Sequence, residues 1–220
     1  MMEIKEKYFD NGLRELLADE YTCVGTIMGL SVLQNGKLPQ FLSEDTIDRI
    51  FDPECTSQSL INLQNGLEKL GLFQICKQIP TLREIFRPNP SSVLTMRKLN
   101  ALLTPDFSPV GSNKRTYETA VYTVLCKYMR HVAAGRRGDI TLGSILQFAT
   151  ASDEEPLLGF KLAPSIRFFE MTKSFLPTSN TCINALQLPY ASHNTISLPD
   201  DDTLFSLYDE AFASAHFGNV

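Results

Sequence analysis

Among side chains able to do covalent chemistry, the cysteines are the informative set. They stand at 23, 55, 76, 126 and 182, an odd number with no C-x-x-C pair. That usage predicts reduced thiols rather than a disulfide framework. Cys23 and Cys126 fall on apolar helix faces, Cys76 follows an apolar run, and Cys55 sits in the turn after Pro53. Each is expected to be an inert, buried small hydrophobe. Cys182 differs. It lies in LPTSNTCINALQLP, residues 176–189, a polar loop bounded by Pro177 and Pro189 that leads into a strand. A thiol at such a junction is expected to be exposed and held by a rigid neighbour, which suits a nucleophile. Sulfur is apt for relaying an acyl group, because thiolate both attacks and leaves well. Thr181 and Asn184 flank it with a hydroxyl and an amide, groups that either position an acyl carbonyl or brace the loop. His193 and His216 are expected to be surface histidines, since nothing in the sequence fixes either beside the sulfur. A papain-like hydrolase is not expected, because only 38 residues follow Cys182 and the downstream partners of that family stand farther away. Cys126 and His131 lack paired ligand spacing, so no metal and no cofactor are expected.

The elements that must carry this thiol read as two halves. Helices are predicted over 3–18 and 20–34, the second ending at Asn35-Gly36 where the chain needs a positive φ. Gly25 and Gly29 in the second imply close helix packing. Its apolar run from Tyr21 to Leu33, broken by Thr22, Thr26 and Ser31, is expected to be a buried helix rather than a membrane span. Ser43 is the predicted cap of a helix that Pro53 stops, and 58–77 keeps helical spacing with a break at Gly71. A short helix is predicted over 95–103. TPDFSPVGSNKR, residues 104–115, reads as the clearest linker. Beyond it, 116–132 is amphipathic through Val121, Val124, Leu125, Tyr128 and Met129, and Asp139 and Thr141 are candidate caps of the next helix. Runs at 165–169 and 183–188 suit strands, and a last helix begins after Pro199 with Asp200, Asp201 and Asp202 at its positive end. The expected fold class is therefore α+β.

Composition limits the function classes. The formal net charge is −5, with 43% hydrophobic and 20% charged residues, as in an ordinary globular protein. A broad nucleic-acid-binding surface is not expected. The basic residues Lys114, Arg115, Lys127, Arg130, Arg136 and Arg137 read as a solvated face rather than a nucleic-acid surface. The first residues alternate in charge and give no signal-peptide core, so a soluble cytoplasmic or nuclear protein is expected, without membrane partners.

Three motifs in order resemble the HECT-type ubiquitin ligase domain. The first is the cysteine segment, with Leu176-Pro177, Thr181-Cys182, Asn184 and Leu186-Gln187-Leu188-Pro189. The second is TLGSILQFATASDEEPLLGF, residues 141–160, through Leu146, Phe148, Thr150, Pro156, Gly159 and Phe160. The third is Phe217, fourth from the end. The first half, including residues 21–51, is similar to the family's amino-terminal lobe. LQNGLEKLGLFQICKQIPTLREIF and LTPDFSPVGSNKRTYE look like the divergent HECT domains of the G2/M-phase-specific ubiquitin ligase group.

The resemblance implies a bilobal HECT-like fold. It has a shortened, helical N-lobe over 1–105, a hinge linker over 106–115, and a mixed α/β C-lobe over 116–220. It implies a ubiquitin-protein transferase that accepts ubiquitin on Cys182 from a conjugating enzyme and passes it to a substrate lysine. Thr181, Asn184 and Phe217 would position ubiquitin or brace the loop. The alternative is a non-catalytic module that binds ubiquitin or substrate. Set against the family, the resemblance implies an N-lobe without its usual start and with a short stretch from Phe51 to Leu63. Asn180 stands where many members have histidine, and Ala151 where glycine is common.

Overall fold

The protein is described here by a computed structural model covering residues 1–88 and 94–213. The chain divides into two units, Met1–Ser92 with Pro156–Gly159, and Val93–Glu155 with Phe160–Val220.

In the first unit the helix expected over 3–18 is broken. Helix α1 (Met2–Tyr8) is followed by a 3-10 turn, Glu15–Glu20, and then by α2 (Tyr21–Leu33). The reason is a buried phenol. The Tyr21 hydroxyl donates to Tyr8 O at 2.7 Å and accepts from Arg14 N at 2.9 Å, so the chain wraps around it, with Gly12 at φ +79°. Both partners are needed, because an unsatisfied buried hydroxyl is costly. At the end of α2 the positive φ falls on Asn35, at +56°. Ser43 caps α3 (Glu44–Ile50) and Ser57 caps α4 (Gln58–Glu68), each accepting from a backbone N–H three residues on. Gly71, at φ +72°, separates α4 from α5 (Leu72–Gln78).

The glycines of α2 do pack closely. A Cβ on Gly25 would lie 2.3 Å from Leu63 O, and one on Gly66 only 2.2 Å from Thr22 O. That crossing buries Tyr21, Val24, Gly25, Met28 and Gly29, and it turns Cys23 outward. Cys23 is thus exposed rather than buried, since the α4-facing side of α2 is set by its glycines. Cys76 is fully buried and Cys55 half-buried.

The second unit begins earlier than the sequence boundary. Helix α6 (Met96–Leu102), capped by Thr95, and strand β1 (Thr104–Pro105) both belong to it. The stretch 106–115, expected as a linker, packs inside this unit. Asp106 N donates to Ile166 O at 2.8 Å, and Phe107 stacks on Phe168 with ring centroids 5.1 Å apart. Ser112 then caps α7 (Asn113–Ala133), whose expected stripe is buried together with Val132. Thr141, and not Asp139, caps α8 (Leu142–Thr150) through a reciprocal bond with Ser144.

Strands β2 (Ser165–Glu170), β3 (Thr178–Asn180) and β4 (Ala185–Tyr190) complete a mixed sheet ordered β1-β2-β4-β3. β1, β2 and β4 run parallel, and β3 pairs antiparallel with β4. Helix α9 (Asp201–Ala213) is capped by Asp200, which accepts from Thr203 N at 2.8 Å. Leu125, Tyr128, Ile145, Leu146, Ile166, Leu186, Leu188 and Tyr208 form a buried centre shared by α7, α8, α9 and the sheet. The fold is α+β, as expected.

The basic face is partly structural. Arg137 pairs with Asp209, which also accepts from the Tyr128 hydroxyl at 2.8 Å, and its guanidinium lies over the rings of Tyr128 and Phe205. Lys127 holds Asp201 at 2.9 Å, on the first turn of α9. These two cations fasten α9 to the body of the unit rather than face solvent alone.

Candidate functional site

The register of β3 on β4 places Asn180 opposite Ala185. The four residues between them, Thr181 to Asn184, therefore close a hairpin with Cys182 at its crest. Thr181–Ile183 form a 3-10 turn, and Asn184 follows at φ +51°, ψ +47°. This left-handed residue is why β4 starts at Ala185 instead of 183, and asparagine is among the few non-glycine residues that adopt the conformation readily. The hairpin is anchored below by Phe175 and Pro177, in the segment leading into β3, and by Ala185 and Leu186 at the start of β4, all buried. Above them, the Cys182 side is exposed.

Asn184 acts as the brace. Its side-chain amide donates to Leu162 O at 2.7 Å, its carbonyl accepts from Ser165 N at 2.9 Å, and its N–H closes the turn onto Thr181 O at 3.4 Å. One residue thus ties the crest to the start of β2. Thr181, by contrast, is half-buried, and its hydroxyl has no hydrogen-bond partner among the described residues. Thr178 adds a second tie, donating to Gln187 Oε1 across the strands at 2.9 Å. β3 is an edge strand, so its outer backbone groups face no strand among the described residues. Pro189 lies beyond the last residue of β4 paired with β3, where its missing N–H removes no bond to that strand.

His193 is exposed and meets the Tyr117 hydroxyl through Nδ1 at 3.4 Å. Phe217 and His216 lie outside the described residues. Two features of the surroundings had no sequence signal. β1 and β3 are too short to show alternation. The buried carboxylate of Glu118 falls within the apolar stripe of α7, where only its loop partner gives it a purpose.

Residues 116–197 match the family model of the HECT domain (ubiquitin-transferase). The matched stretch runs from α7 past β4 and includes the hairpin crest; it spans less than half of the chain and is consistent with a HECT-type domain there. No curated protein matches the chain. The match points to a function related to ubiquitin ligation, a class whose domains engage ubiquitin, conjugating enzymes and substrates.

Proposed function

We propose that the protein is a ubiquitin-protein transferase of the HECT type, with Cys182 as the acyl carrier. The observation that carries this reading is the placement of the sulfur. It stands exposed at the crest of a braced hairpin, within the stretch that matches the HECT domain. The Cys182 thiolate attacks the thioester carbonyl presented by a conjugating enzyme. The new C–S bond forms as the donor sulfur leaves with its electron pair, and exchange of one thioester for another needs little driving force. A substrate lysine then attacks the same carbonyl, loses a proton and displaces Cys182 as thiolate.

The neighbours take separate parts in this reading. Asn184 is a positioning residue, since its amide is spent on Leu162 O. The Thr181 hydroxyl is available to donate to the acyl oxygen as charge gathers there. The outer edge of β3, unpaired by any strand among the described residues and running directly into the turn, gives an extended peptide tail a backbone to lie against. The helical first unit would correspond to the lobe that meets the conjugating enzyme.

The test is a charging reaction with activating enzyme, a panel of conjugating enzymes and ubiquitin. A thiol-reducible adduct on the protein, absent in Cys182→Ala, is the expected result. An adduct that survives the substitution, or none across the panel, would overturn the transferase reading and favour a binding module.

A further inference from the structure

The segment TPDFSP, residues 104–109, has no task in the relay proposed above. Its serine is unusually placed. Ser108 donates twice to one carboxylate, from its N–H to Glu118 Oε2 and from its hydroxyl to Glu118 Oε1, each at 2.7 Å. That carboxylate side chain is only 1% exposed. Two cations stand by. Lys114 Nζ is 3.8 Å from Glu118 Oε1, and Arg115 donates to Ser108 O at 2.9 Å while covering the Phe107 ring. On the other side the loop crests in solvent at Pro109 and Val110, the latter 88% exposed, and turns at Gly111 with φ +87°.

We propose that Ser108 is a modification site for a proline-directed protein kinase, and that its phosphate releases the 106–112 loop from α7. Ser108-Pro109 supplies the dipeptide such kinases read. The other pair in the motif, Thr104-Pro105, is tied into the sheet as β1, whereas Ser108 is reached when the crest peels away locally. In the transfer the Ser108 oxygen attacks the γ-phosphorus of ATP. The new O–P bond forms as the bond to the β-phosphate breaks, ADP leaves with the electron pair, and the hydroxyl proton passes to the kinase.

The product inverts the local electrostatics. A hydroxyl that donated to Glu118 becomes a phosphoester with no proton to give and close to two negative charges. The buried carboxylate then loses a donor and faces like charge, while Lys114 and Arg115 gain a stronger anion on the outer side. Of the loop's other ties, the bond from Asp106 N to Ile166 O borders Ser165, whose N–H donates to Asn184 O. Any effect on acyl transfer rests on the function proposed above; the site and the loop release do not.

The experiment uses the full chain with a proline-directed serine/threonine kinase and ATP, mass mapping of the phosphate, and hydrogen exchange before and after. The expected result is a phosphate on Ser108, missing in Ser108→Ala, with exchange over 104–112 about tenfold faster or more. In Glu118→Gln the phosphate should accelerate exchange less, because the like charge is gone. Phosphate on Thr104 alone, no phosphate, or phosphorylated Ser108 with unchanged loop exchange would overturn the proposal. None of these readouts involves ubiquitin, so they stand apart from the charging reaction.

Discussion

Cys182 and Cys23 both face solvent, Cys76 does not, and this difference orders their reactivity. Burial pushes the Cys76 thiol above its ordinary range, with Arg83 opposing weakly, so thiolate is scarce there at neutral pH and no path leads to the sulfur. Iodoacetamide at pH 8 should therefore label Cys182 and Cys23 in the native protein within minutes. Cys76 should react only when denaturant opens the first unit. Peptide mapping of the alkylated chain checks this, and early labelling of Cys76 would contradict the packing described. At this scale the sequence was informative where chemistry is local. The exposure of Cys182 followed from its polar, proline-bounded loop. The role of Asn184 did not, because its amide finds Leu162 O, twenty-two residues away in the chain. The outward turn of Cys23 was hidden for a similar reason: it depends on which face of α2 the glycines press against α4.

Element ends show the same division. The caps Ser43, Thr95, Ser112 and Thr141 are decided by a side chain and an N–H three residues on, and polar residues ahead of apolar runs announced two of them, Ser43 and Thr141. The strands β1 and β3 have two and three residues and exist only because β2 and β4 pair with them, which periodicity cannot reveal. The departure at Ala151 acquires a physical meaning here. It is the C-cap of α8 at φ +64°, ψ +9°, a left-handed conformation that crowds a Cβ against its own backbone. Glycine removes that crowding, although it loosens the unfolded chain. Ala151→Gly should stabilise the second unit by about 1 kcal/mol. The control, Ala149→Gly in the buried face of α8, should destabilise it by about as much or more. Chemical denaturation of both variants distinguishes relief of the cap from a general effect of glycine, and a destabilised Ala151→Gly would mean the cap carries no strain.

For the molecule as a whole, the division into two units carries an energetic consequence. Each has its own set of buried side chains. One centres on Tyr21, Met28, Leu60 and Leu63, the other on Tyr128, Leu146, Leu186 and Tyr208. Two prolines, a glycine and polar residues describe a tight, packed loop as well as they describe a linker. What fastens 106–112 is a buried glutamate and a stacked phenylalanine. Separate cores predict separate unfolding. Gly66→Ala places a methyl 2.2 Å from Thr22 O, a backbone atom that yields only if α2 and α4 move apart. That should cost the first unit about 1–3 kcal/mol, the range of an overpacked core. Hydrogen exchange should then speed up across α2 and α4 while α7, α8 and α9 keep their protection. If protection falls equally in both units, they unfold as one cooperative body and the division has no thermodynamic meaning. If only the first unit loosens, a damaged helical unit can coexist with an intact Cys182 hairpin. In that case loss of ubiquitin loading in Gly66→Ala, with Cys182 still open to alkylation, would locate the docking of the conjugating enzyme in the first unit.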